Sequence, residues 1–198
     1  MSGTLGEVIR LLVSSLGGLY IMVVLLRFLL QAAHADFYNP VTQAIVKLTG
    51  PPLRPLRRLI PSWRGFDFAT LVLALLLNSI ATALLIMAAG YNLPSIGLIV
   101  SWSAVGILAY ILNIYFYAVL ISVIVSFIAP FSAHPVLLVV HQLLEPLYER
   151  LRRIMPSMGG LDFSPLFIFL GISVLEIMVI GPLASHIGLR PDLVLGIH

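Results

Sequence analysis

The residues best placed to do chemistry are two adjacent arginines followed by an aspartate, and this set occurs twice. In the first half of the chain they are Arg57, Arg58 and Asp67. In the second half, 95 positions later, they are Arg152, Arg153 and Asp162. Guanidinium groups bind phosphate strongly, so the arginine pairs predict contact with anionic lipid headgroups or with a cytoplasmic partner. Arginines also fix the orientation of a membrane protein, and we favour orientation with general lipid contact over specific recognition.

The two aspartates have two interpretations. Asp67 and Asp162 each precede a long apolar segment. A carboxylate there stabilises the amino end of a helix through the helix dipole, or pairs with a nearby arginine. We favour this structural role. The alternative is a metal or proton site formed by both carboxylates, which requires the two halves to bring their loops together.

Three further polar residues lie inside apolar segments, namely Arg27, Asn78 and Glu176. Charges within a membrane are costly, usually face the protein interior and are functional candidates by default. Arg27 is expected to extend to the membrane surface or to pair with Asp67 or Asp162. Glu176 is expected to be neutral and bonded to Asn78 or a serine, or to handle protons or ions. We favour structural roles.

Other kinds of chemical site are not indicated. The chain has no cysteine, which excludes disulfides and thiolate metal sites. Its five histidines lack the helical spacing of a paired haem or metal site, and there is no glycine-rich phosphate loop. The sequence therefore predicts a protein that is not an enzyme and has no metal or cofactor.

The composition indicates an integral membrane protein. Hydrophobic residues make up 60% of the chain and charged residues 10%, and the mean hydropathy is +1.09. A soluble domain carries about 25% charged residues. The net charge of +3 does not point to nucleic acid here, because the basic residues lie between the apolar segments.

The repeat divides the chain into copies 1–95 and 96–190 and a tail, 191–198. We predict an all-α protein with four transmembrane helices, built as two parallel repeats of span, amphipathic loop and span. In the first copy the span, loop and span are about 10–34, 39–61 and 67–90. In the second copy they are about 105–130, 135–156 and 164–187.

Prolines and chain length set the finer expectations. Asn39 and Pro40 predict a helix start. The stretch 49–52, which contains two prolines, is predicted to end that helix, and Pro146 to interrupt its counterpart. These short helices suit the headgroup region or a shallow re-entrant hairpin. The apolar run 95–131 is too long for one upright helix, so 96–104 is predicted to be a lead-in.

The basic residues also predict sidedness. Eight of the 11 lysines and arginines lie in the two repeat loops, and the connection between the copies has none. Both loops are therefore expected to face the cytoplasm and both termini to face outward. We expect a multi-pass membrane protein.

With these residues in view, the chain resembles the YggT family, also called the YlmG family, of bacterial and plastid membrane proteins. The second copy carries the family pattern from Pro146 to Pro165, including Gly-Gly-Leu-Asp-Phe-Ser-Pro at 159–165, but has His134 where the family has asparagine. The first copy departs from the pattern at Gly50, Arg64 and Ala69-Thr70. It keeps the other marked positions, which are Asn39-Pro40, Pro55, Arg57, Arg58, Pro61, Gly65 and Asp67. We therefore expect any specific function to lie in the second copy.

The resemblance implies only a broad role. Family members are linked to osmotic or envelope stress tolerance, to cell-division gene neighbourhoods and, in plastids, to cytochrome b6 haem attachment and nucleoid distribution. We predict a non-enzymatic membrane factor that supports stress tolerance or the assembly of membrane complexes. Its partners would be anionic lipids, a membrane protein or further copies of itself. The alternative is a small oligomeric channel or transport component that uses Glu176 and Asn78.

Overall fold

The computed structural model describes residues 3–62, 65–129, 132–154 and 163–197, and it is all-helical over these ranges apart from connecting segments. Four helices are long and apolar enough to cross a membrane. They are α1 (Thr4–Ala32), α3 (Phe68–Ala88), α4 (Ile96–Ile128) and α6 (Ser164–His186). Two amphipathic helices connect the spans, α2 (Pro40–Leu59) and α5 (Pro135–Ile154). The predicted fold class is confirmed.

The repeat is visible in the helices themselves. Both ends of α5 lie 95 positions after the corresponding ends of α2. Asn39 caps α2 as predicted, because its side-chain oxygen accepts from the Val41 N–H at 2.9 Å. Each copy thus begins its connecting helix with the same proline at the first helical position.

The prediction that prolines break α2 and α5 is wrong. Pro51 and Pro52 lie inside α2, and Pro146 lies inside α5. A proline in a helix frees the carbonyl four residues earlier, which for Pro52 is that of Leu48. The Tyr20 hydroxyl of α1 donates to this carbonyl at 3.3 Å. The neighbouring span thus supplies a donor for one of the carbonyl groups that these prolines leave without one.

The predicted lead-in at 96–104 is also wrong, since α4 is one helix of 33 residues. Its length is about 50 Å at a rise of ~1.5 Å per residue, more than the ~30 Å apolar core of a bilayer. Trp102 and Ser103 near its amino end are buried. The Trp102 indole N–H donates to the Ile187 carbonyl at 3.0 Å. Protein contacts, rather than lipid alone, accommodate the extra length.

The connecting helices pack against the bundle and against each other. On α2 the buried residues recur at helical spacing, as Thr42, Ile45, Thr49 and Leu53. The Asn39 side chain donates to the Pro135 carbonyl at 2.9 Å, which joins the starts of α2 and α5. The apolar faces are therefore covered by protein, and the basic faces remain exposed.

The C-terminal segment 189–197 returns into the bundle. Leu193, Val194 and Leu195 are at most 8% exposed. Asn113 of α4 donates from its side chain to the Gly196 carbonyl at 3.0 Å. Non-helical backbone at membrane depth is tolerated where protein surrounds it. The segment is part of the packed core.

Tyr20→Phe tests how the bundle tolerates the prolines of α2. We expect it to lower the free energy of unfolding by about 1 kcal/mol, because the Leu48 carbonyl loses its donor. Tyr38→Phe is the matched control, since Tyr38 is 89% exposed. Thermal unfolding in a mild detergent measures both variants. Equal melting temperatures for the two would contradict this account of α2.

Candidate functional site

An ion pair joins the end of α2 to the start of α3. Arg57 donates from Nε to Asp67 Oδ2 at 3.0 Å and also from Nη2 to the same oxygen. The Thr70 hydroxyl donates to Oδ2 at 2.7 Å, and the Thr70 N–H donates to the Asp67 backbone carbonyl at 3.0 Å. Asp67 is thus both the arginine partner and the residue that precedes the first turn of α3.

The protonation of Asp67 follows from these contacts. Burial would raise the pKa of the carboxyl, but the hydrogen bonds from Arg57 and Thr70 and the charge of Arg57 outweigh it, so the pKa lies below its usual value. The Asp67 side chain is 1% exposed, whereas that of Arg57 is 42% exposed. A buried carboxylate therefore holds a half-exposed cation at the loop surface.

Arg27 lies beside this pair but bonds to α2. Its Nη1 donates to the Thr49 hydroxyl at 2.7 Å and to the Val46 carbonyl at 3.0 Å. The residue is 6% exposed, so it does not extend to the membrane surface. The structure shows no hydrogen bond between Arg27 and Asp67. The predicted pairing of Arg27 with Asp67 is thus replaced by a bond to the neighbouring helix, and Asp162 lies outside the described residues.

A cavity of about 570 Å³ connects these charges. Its polar lining comes from Arg27, Gln31, Arg57, Ser62 and Asp67. Two buried atoms of these residues, Arg27 Nε and Asp67 Oδ1, have no hydrogen-bond partner among the described residues. The cavity therefore combines two guanidinium groups with one carboxylate, a set that suits an anionic group carrying a hydrogen-bond donor.

The second copy differs at the equivalent positions. Ser122 stands where the first copy has Arg27, and Leu144 stands where it has Thr49. Arg152 lies 3.8 Å from Glu145 and has its guanidinium 5.6 Å from the centre of the Tyr148 ring. The buried arginine that lines the cavity has no equivalent here. We therefore place the candidate site in the first copy, not in the second as the sequence pattern favoured.

Arg58 and Arg153 are exposed at the ends of α2 and α5. They lie on helices whose other faces pack on the spans, and no hydrogen bond to either is seen within the described part of the chain. Their charges are free to meet the membrane surface. Arg54 is exposed on the same helix as Arg58.

Asn78 and Glu176 are not brought together. Asn78 is fully buried in α3 and donates to the Ser103 carbonyl at 3.0 Å. Glu176 is exposed in the middle of α6, and its side chain has no hydrogen-bond or ion-pair partner within the described ranges. The expectation that Glu176 faces the interior and bonds to Asn78 or a serine is therefore not met. A metal-binding group of three or more histidine and acidic side chains is also not found among the described residues.

Sequence reasoning missed the donors and acceptors that complete the site. Thr49 and Tyr20 were not singled out, although each makes a contact described above. One signal was available, because Tyr20 and Arg27 are seven residues apart and therefore share a face of α1. The contact to α2 itself cannot be read from that spacing.

Comparison with known proteins agrees with the repeat seen in the sequence and in the helices. The model of the CCB3/YggT family matches residues 6–88 and 101–183, two ranges offset by the same 95 positions as the repeat. An uncharacterised protein of Pseudomonas aeruginosa is 43% identical over 183 residues, covering 92% of this chain and 93% of its own. The uncharacterised YggT protein of Escherichia coli K12 is 38% identical over 171 residues, covering 85% and 87% respectively. No solved structure matches.

Proposed function

This chain belongs to the CCB3/YggT family, and from that premise we propose that it is a non-enzymatic integral membrane factor that binds anionic phospholipid headgroups. The binding surface consists of the exposed arginines of α2 and α5 together with the cavity beside Arg27 and Asp67. Through it the protein supports envelope or osmotic stress tolerance, or the assembly of membrane complexes.

One observation carries this proposal. The arginines at the ends of α2 and α5 are exposed, while the opposite faces of both helices pack on the spans. Each basic residue near an anionic leaflet contributes about 1 kcal/mol of attraction. Two helices fixed against each other hold these charges in one place, so that the attraction orders the lipids beneath them.

The cavity adds chemical selectivity to this surface. Arg27 and Arg57 supply donors for a phosphate, and the unpaired Oδ1 of Asp67 supplies an acceptor. A phosphodiester headgroup with a hydroxyl or ammonium group offers both complements. A choline headgroup has no N–H or O–H donor and matches the site less well.

Orientation in the membrane is part of the same proposal. We place the chain in the bacterial inner membrane with α2 and α5 on the cytoplasmic side and both termini outward, as the basic residues of these helices favour. The C-terminal segment then packs into the outer half of the bundle.

A transport role based on Glu176 and Asn78 is the competing function. Asn78 is buried and bonded within the bundle, whereas Glu176 is exposed on α6. No described contact joins them in a shared ion site. Lipid binding is therefore the function that the geometry supports better.

Charge reversal tests the proposal. In liposomes of phosphatidylethanolamine and phosphatidylglycerol, Arg58→Glu with Arg153→Glu is expected to reduce the phosphatidylglycerol that co-purifies with the protein by roughly tenfold. Arg10→Glu with Arg190→Glu, at the opposite end of the bundle, changes the net charge equally and is expected to leave that lipid in place. Equal lipid retention in both pairs would contradict lipid binding by α2 and α5. Survival of osmotic shock in cells that carry each pair then tests the stress role.

A further inference from the structure

The middle of α6 exposes two polar side chains that have no partner. Ser173 and Glu176 are both exposed, and neither side chain makes a hydrogen bond within the described part of the chain. Glu176 lies about 18 Å along the helix from Ser164 and about 15 Å from His186, at ~1.5 Å per residue. It is also the first residue of a π-turn, Glu176–Ile180, a feature common at functional positions. The carboxyl group therefore lies at the depth of the lipid chains.

A carboxyl group at that depth needs a hydrogen-bond partner. Lipid chains offer no hydrogen bonds, and an unpaired polar group in an apolar medium costs several kcal/mol in transfer measurements. Asn78 and Arg27, polar side chains of the neighbouring spans, are bonded elsewhere within the bundle. The hydrogen-bond partner of Glu176 must therefore come from another molecule.

We propose that this face of α6 binds a second copy of the chain. In a dimer whose two-fold axis runs along the membrane normal, the two Glu176 side chains lie at the same depth. A carboxyl that carries its proton is both donor and acceptor, so the pair is complementary to itself. Ser173, one turn nearer the cytoplasmic end, adds a hydroxyl group to the carboxyl group on each chain.

The packing of α6 supports the same interface. Of the four spans, α6 is the least covered by the rest of the chain. Only 17% of its apolar 18-residue stretch is buried, compared with 44% for α3. The surface of α6 around Glu176 thus has room for a partner helix as well as polar groups for it to satisfy.

Cysteine cross-linking in native membranes tests the interface, because the chain has no cysteine of its own. Ser173→Cys is expected to form a disulfide-linked homodimer on mild oxidation. Leu76→Cys is the control, since Leu76 is 48% exposed and lies at nearly the same depth on α3. Dimer formation that is no greater for Ser173→Cys than for Leu76→Cys would overturn the proposal. Cross-linking of Ser173→Cys to a protein of different mass would replace the second copy with another partner and would also overturn it.

Substitution of Glu176 tests the role of the carboxyl group. In the Ser173→Cys background, Glu176→Leu is expected to reduce the dimer by roughly tenfold, because the interface loses its central hydrogen bonds. Glu176→Gln retains a donor and an acceptor and is expected to keep the dimer. An unchanged dimer in Glu176→Leu would show that the carboxyl group does not hold the interface.

Discussion

Asp67→Asn is expected to lower the free energy of unfolding by about 2 kcal/mol. Breaking a buried ion pair costs about 3–5 kcal/mol, but Arg57 is 42% exposed and its share is screened by water. Arg27, a cation only 6% exposed, would in addition lose the attraction of the nearby carboxylate. Unfolding in a mild detergent, followed by heat or denaturant, measures the change.

The surface pair Arg190 and Asp192 provides the matched control. Its charged atoms are 3.8 Å apart, and the two side chains are 48% and 52% exposed. Asp192→Asn is expected to leave the free energy of unfolding nearly unchanged, because water screens an exposed ion pair. A loss in Asp67→Asn no larger than in Asp192→Asn would mean that the buried pair is not a structural centre of the first copy.

Acid should remove the same stabilisation from the wild type. Because the pKa of Asp67 is lower in the folded than in the unfolded protein, its contribution is fully present above the usual aspartate pKa of about 4. It is lost as the pH falls through the lowered folded value. Between neutral pH and pH 5 the contribution of Asp67 is therefore expected to be constant, and below about pH 4 the wild type should lose stability faster than Asp67→Asn. Parallel acid profiles for the two proteins would contradict the assignment.

The parts of the fold set by local pattern were predictable from the sequence. Hydropathy identified four spans, and the recurrence of Pro40 as Pro135 placed both connecting helices. The Arg57–Asp67 pair was also within reach, since ten residues separate a helix end from the next helix start. These features depend on neighbours close in sequence, where spacing nearly determines contact.

The remaining features depend on contacts between segments far apart in the chain. The Leu48 carbonyl, which Pro52 leaves without its helical donor, is bonded by the hydroxyl of Tyr20, 28 residues away. The exposure of Glu176 depends on how little of α6 the other spans cover. The general preference of charged residues for the protein interior predicted a buried Glu176, whereas the residue is exposed in the single chain.

Gly106→Ala is expected to release the C-terminal segment from the bundle. A methyl group on Gly106 would lie 2.6 Å from the Leu195 carbonyl oxygen and 2.8 Å from the Asn78 side-chain nitrogen. One of these contacts is with backbone, so the 189–197 segment must move. Overpacking of this kind costs about 1–3 kcal/mol. It outweighs the ~1 kcal/mol by which alanine is preferred to glycine within a helix.

Gly97→Ala on the same helix separates the two effects, since nothing lies within 4 Å of the added carbon there. That variant is expected to be neutral or slightly more stable. A cysteine at Val194, which is 3% exposed, then reports the position of the segment through its rate of maleimide labelling. Labelling should be slow in the Gly97→Ala background and fast with Gly106→Ala, because only the second substitution removes the space that the segment occupies. Equally slow labelling in both backgrounds would mean that the missing side chain of Gly106 is not needed for the segment to pack against α4. In that case α4 can move aside to admit the methyl group.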